Sequence, residues 1–121
     1  MDYNISVAED GKYILVKVNK PMTVELGRQC GDDSAKLGAR LDVNTYLFDL
    51  RSAPNLERVT GNYNFAYEDM DNFGFKKGTR SALLVNKKDK SHDFIETAFR
   101  NAGFNVRLFC DEDSAVAWLG E

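Results

Sequence analysis

A chain of 121 residues has the size of one domain, spanning 1–121, and is long enough to bury a hydrophobic core without disulfides or a structural metal. Its 16 basic and 19 acidic side chains leave a net charge of −3, which offers no general attraction to nucleic acid or anionic lipid. The apolar runs are strand-sized, as in ALLV at 82–85, and the charged Asp2 and the polar residues after it do not suit a signal peptide or a membrane span, so a cytoplasmic protein is expected.

In chain order, 4–8 and 12–18 alternate apolar and polar residues (Ile5, Val7; Tyr13 or Ile14, Val16, Val18) around the turn signal EDG, which predicts a β-hairpin. After Pro21, Thr23 is placed to cap a helix whose stripe is Leu26, Cys30, Leu37 and Leu41. Gly27, Gly31 and Gly38 weaken that helix and Asp33 would project from its stripe, so a break is predicted near 31–33. Residues 46–50 are apolar apart from Asp49 and predict a buried central strand. Asn55 then caps a second helix with Leu56, Val59, Tyr63, Ala66 or Tyr67, Met70 and Phe73 inward, stopped by Gly74. Phe65 lies about 200° round the wheel from Tyr63 and is expected to be an exposed aromatic that a partner could cover. Residues 81–85 predict another buried strand. Ser91 is expected to cap a helix reaching Asn101, with Phe94, Ile95, Ala98 and Phe99 inward and Gly103 past its end. A strand at 105–109 and a short helix from Asp111, docking Val116, Trp118 and Leu119, complete the order β-β-α-β-α-β-α-β-α. Such alternation calls for right-handed crossovers and a sheet with parallel strands, an α/β fold.

The chemistry-bearing residues are sparse. Cys30 and Cys110 lack CxxC spacing and fall among apolar neighbours, so both are expected to be reduced core thiols. The lysine-rich FKKGTR and NKKDK flank one strand and would lie roughly 20 Å apart on opposite rims, as two solvated rims and not one patch. FDLRSAP resembles the phosphoacceptor strand of response-regulator receivers, and ISVAED their first strand with its acidic pair. That pair must be followed by a helix to converge with the acceptor on a metal, whereas GKYILVKV returns as an antiparallel strand, and the last strand ends in Phe109-Cys110-Asp111 where receivers have Lys-Pro. Asp49 is therefore expected to be structural. The single histidine, His92, falls in a first helical turn, where it is expected to be exposed and idle; its functional reading is a phosphate or carboxylate contact. The acidic groups at 32–33, 68–71 and 111–113 lie on different elements, and no glycine-rich phosphate loop follows a strand, so neither a metal, a cofactor nor an enzyme is expected.

TYLFDLRSA at 45–53, RSALLV at 80–85, SHDFIETAFRNAGFNVRLF at 91–109 and the terminal AVAWL resemble the STAS fold in its SpoIIAA-like, anti-sigma-factor-antagonist-like branch of small bacterial proteins. The resemblance implies a mixed four- or five-stranded sheet with helices mainly on one side, and regulatory protein-protein docking without catalysis. Antagonist members carry an Asp-Ser-Ser-Gly-Leu type motif at the start of the second helix, whose serine is phosphorylated, the added charge abolishing docking. Here that stretch reads PNLERVTG, with Thr60-Gly61 the nearest match, so Thr60 is the candidate phosphosite, against a plain helical surface residue. For Ser52 a turn or cap role competes. Ser52, Asn55, Arg58, Thr60 and Phe65 form the expected contact surface for an unidentified protein partner. The alternative implied by the resemblance is a Sec14-like carrier or sensor of a small apolar ligand, lined by Tyr63, Phe65, Tyr67, Phe73 and Phe75, aromatics that would otherwise be core. Self-association is compatible with either.

Overall fold

The computed structural model describes residues 2–55 and 79–121. They form β1 (Tyr3–Val7), β2 (Ile14–Val18), α1 (Val24–Leu41), β3 (Thr45–Asp49), β4 (Arg80–Leu84), α2 (Asp93–Asn101), β5 (Asn105–Phe109) and α3 (Glu112–Leu119). The helix expected from Asn55 to Phe73 lies outside the described residues. The five strands make one sheet in the order β1-β2-β3-β4-β5. β1 runs antiparallel to β2, Tyr3 opposite Val18 and Val7 opposite Ile14, and every later neighbour pair is parallel. The hairpin expected from EDG is thus present, and the mixed α/β sheet follows from it.

Side chains alternate between the two faces of a strand, and both faces are used. Ile14, Val16, Val18, Tyr46, Leu83 and Val106 bury against Leu26 and Cys30 of α1 and Ile95, Ala98 and Phe99 of α2. Leu47, Ala82 and Leu84, of opposite parity, bury against Ala115, Trp118 and Leu119 of α3. Two of the three helices among the described residues therefore share a face. The continuous apolar reading of β3 and β4 has its cause here, since both strands are covered from both sides.

Three expectations fail for local reasons. α1 has no break at 31–33: Thr23 Oγ1 accepts from Leu26 N at 3.1 Å and the helix runs unbroken to Leu41. Its buried residues include Gly27, Gly31, Ser34, Ala35 and Gly38, a row of small residues that brings the helix backbone close to the sheet, while Leu41 is left 44% exposed. Asp33 is exposed beside that row and accepts a hydrogen bond from the Tyr3 hydroxyl of β1. Cys110 is exposed, not core, because it sits where the chain leaves β5 to turn into α3, whereas Cys30 is buried and burial pushes its thiol up to about 11.

α3 is held at both ends. Asp111 Oδ2 accepts from Ser114 N at 2.9 Å as the N-cap, and Glu112 and Asp113 place negative charge in the first turn, where the helix dipole favours it. At the other end Arg80 of β4 donates through Nη1 to the carbonyls of Trp118 (2.9 Å) and Glu121 (2.7 Å), with its guanidinium carbon 5.6 Å from the Trp118 ring centre. The cation adds a charged donor to carbonyls at the helix C-terminus and lies over the anchor ring of the same helix. Arg80→Ala is therefore expected to cost about 1–2 kcal/mol in chemical denaturation. It should also red-shift the fluorescence of Trp118, the single tryptophan, before global unfolding.

Candidate functional site

β3 ends at Asp49, on the face covered by α3, and the chain then turns sharply. The Asp49 side chain is only 8% exposed, and Arg51 curls back to meet it, Nε on Oδ1 at 2.9 Å and Nη2 on Oδ2 at 2.8 Å. Arg51 N also donates to Oδ1 at 3.2 Å, and the Glu112 carboxylate stands 3.7 Å from Nη2. Burial alone would raise the Asp49 carboxyl, but the Arg51 hydrogen bonds and charge, with Lys17 opposite on β2, hold it below the usual carboxylate range. Both oxygens accept hydrogen bonds from Arg51.

The turn after β3 is fastened to three neighbouring segments. Asn86, beyond β4, donates through Nδ2 to Arg51 O at 2.7 Å, and Met22 N, ahead of α1, donates to Pro54 O at 2.7 Å. Asn55 N donates to Ser91 Oγ at 2.9 Å, and Ser91 Oγ in turn donates to Asp89 Oδ1 at 2.5 Å. His92 Nε2 lies 2.8 Å from Ala53 O; a carbonyl only accepts, so Nε2 carries the proton. Asp89 is held below the usual carboxylate range chiefly by the Ser91 hydroxyl.

Two sequence expectations are corrected at this point. Ser91 is not the helix cap; His92 occupies that position, with no side-chain cap hydrogen bond, and the Ser91 hydroxyl is spent on Asp89 and Asn55. His92 is not exposed but 2% accessible, because the turn after β3 crosses the start of α2 and roofs its first residues. Burial lowers the His92 pKa from its ordinary value, a shift only partly opposed by the Ala53 carbonyl and by Asp89 and Asp93. A neutral imidazole is thereby kept as a cross-link between the β3 turn and α2.

Of the expected contact residues, Ser52 is exposed at the tip of the turn and Asn55 is half-buried at its end; Arg58, Thr60 and Phe65 lie outside the described residues. Around Ser52 the exposed rim carries Arg51, Pro54, Asn86, Lys87 and Lys88. Arg51, Asn86, Ser91 and His92 were not foreseen as parts of this edge. The Asp-x-Arg spacing at 49–51 could have signalled the first, while the others are joined only by tertiary contact.

The acidic pair Glu9-Asp10 does not approach Asp49. It occupies the hairpin turn, with Asp10 Oδ1 accepting from Lys12 N at 3.0 Å, beside the start of β2, whereas Asp49 faces Lys17 near its end. Among the described residues no group of three or more His, Cys, Asp and Glu side chains is arranged to hold a metal ion. A cleft of about 30 Å³ lies at the hairpin end, lined by Asp10, Lys12, Tyr13, Val116, Leu119 and Gly120, room for about one water. Among the described residues no helix is long and apolar enough to cross a membrane. In comparisons with known proteins no family model matches the chain, and no curated protein matches it.

Proposed function

We propose that the protein is a non-catalytic, STAS-like interaction module of the SpoIIAA-like kind, working in the cytoplasm of a bacterium. Its contact surface is the turn after β3 together with the segment that follows: Ser52, Asn55, Arg58, Thr60 and Phe65. The observation that carries this reading is the state of the polar groups at that edge. Asp49 is neutralised by Arg51, His92 is tied to Ala53 O, and Ser91 to Asp89 and Asn55, so these groups build a platform and leave Ser52 exposed at its tip. A fixed rim of this kind suits docking, because little ordering is left to be done on binding.

The test is capture from the native cell extract with wild-type protein and with the Arg58→Ala/Phe65→Ala double variant, both checked for unaltered Trp118 emission. Loss of a wild-type partner from the variant is the expected result, and Thr60→Glu should lose the same partner if the phosphoswitch operates. Retention of every partner by the double variant would remove this surface. An apolar ligand travelling with the purified chain in native mass spectrometry would transfer the reading to the carrier class.

A further inference from the structure

The sheet has two edges, and they are treated differently. At the β5 edge the outward N–H of Leu108 is already occupied, donating to the Glu96 carboxylate of α2 at 2.6 Å, and exposed Arg107 stands beside it. Such a carboxylate cover and a charge on the strand are how sheet edges are kept from pairing.

Among the described residues β1 has neither protection. Its sequence, YNISV, contains no charge and no proline, and its ladder with β2 runs through five consecutive pairs without a bulge. The direction of its free backbone groups follows from the bonds that frame it. Asn19 N donates to Asp2 O at 2.8 Å and Ala8 N to Tyr13 O at 3.0 Å, so the even-numbered residues turn their N–H and C=O groups toward β2. In an antiparallel ladder the alternate residues then point outward. These are Tyr3, Ile5 and Val7, and among the described residues nothing bonds to their outward N–H and C=O groups. Val7 is also one of the few large apolar side chains left exposed, at 38%.

We infer that β1 is a self-association edge, which pairs antiparallel with β1 of a second copy about a two-fold axis at Ile5, making one sheet continuous through both chains. A second copy fits better than a foreign peptide for two reasons. The strand is its own complement in this register. Ile5 meets Ile5 of the second copy and Tyr3 meets Val7 of the second copy, each bonded pair exchanging both backbone bonds. On the opposite face Asn4 meets Ser6 of the second copy without any facing charge. Both strands are also already ordered by their own sheets, so neither has to be straightened on binding, as a peptide would.

Sedimentation velocity of the whole protein over a concentration series, with charge-pattern variants at exposed Asn4 and Ser6, tests this. Asn4→Glu/Ser6→Glu places like charges opposite each other across the axis, and Asn4→Glu/Ser6→Lys places opposite charges there; in both, the new glutamate faces Lys17 within its own sheet. Wild type should show a concentration-dependent monomer–dimer equilibrium. The Glu/Glu variant should dimerise roughly tenfold more weakly and the Glu/Lys variant at least as tightly as wild type. Circular dichroism and Trp118 emission should be the same in all three. A wild type that stays monomeric throughout its soluble range, or a Glu/Glu variant that dimerises as tightly as wild type, would overturn the inference. So would an excess of free YNISV-type peptide binding β1 in a protein that does not self-associate.

Discussion

Gly38→Ala is expected to destabilise the protein by about 2–3 kcal/mol, although glycine to alanine inside a helix ordinarily stabilises by about 1 kcal/mol. The reversal comes from what the new methyl group would meet. A Cβ built on Gly38 lies 2.2 Å from the Tyr46 hydroxyl oxygen and 2.6 Å from the Val43 carbonyl oxygen. Neither can retreat easily. Tyr46 is a buried residue of β3, and the backbone at Val43 is held because Val43 N donates to Gly38 O at 2.9 Å, closing the connection from α1 into β3. The methyl would have to lift the end of α1 off the sheet, opposing the burial of Ala35 and Cys30 one and two turns earlier. Urea denaturation measures the loss, and Gly120→Ala supplies the control. There the new Cβ finds only ordinary contacts at 3.7 and 3.8 Å and the residue already has φ of −88°, so a change within about 0.5 kcal/mol is expected. Equal stability of Gly38→Ala and wild type would mean that α1 is not seated as closely as described.

That same row of small residues explains why α1 was only half legible in the sequence. The wheel pattern found a helix and its cap at Thr23, but it ranked the large apolar residues as the buried stripe and treated the glycines as weaknesses. Close helix-to-sheet seating inverts that ranking: glycine, serine and alanine go inward, and Leu41, past the last seated turn, goes outward. The strands were legible for the opposite reason. Alternation in β1 and β2, and unbroken apolar runs in β3 and β4, are direct consequences of one covered face or two, and the strand limits differ from those expected by two residues at most. At the edge of β3, the sequence put Ser52 and Asn55 in the segment that leaves the strand, which is where they lie. It could not show that residues 86–92 return to fasten that turn, because Asn86, Ser91 and His92 become neighbours of 51–55 only once β3 and β4 are paired.

The buried imidazole at this edge leads to the other large effect, a dependence of stability on pH that sets in below about pH 7. His92 is buried and neutral, with its pKa lowered below the ordinary 6.5 first of all by burial. A histidine lowered in the folded state binds protons more readily when unfolded. Its contribution is therefore complete above about pH 7, begins to fall as the pH drops through the unfolded value near 6.5, and is lost by the folded value below it. Asp49, Asp89 and Asp111 are lowered from 3.8 and titrate at more acidic pH than this window. His92→Ala should cost about 2–3 kcal/mol at neutral pH, because it opens a cavity under the turn and leaves the Ala53 carbonyl without its donor. His92→Gln can still donate to that carbonyl but does not titrate, so it should keep more of the stability while its urea midpoint stays flat across the window. Parallel curves for His92→Gln and wild type would show that the imidazole binds its proton equally well in the folded and unfolded chains, against the burial seen here. The expected divergence would mean instead that burial of the imidazole beneath the turn that presents Ser52 opposes its protonation, so that acidification weakens the folded state through this residue.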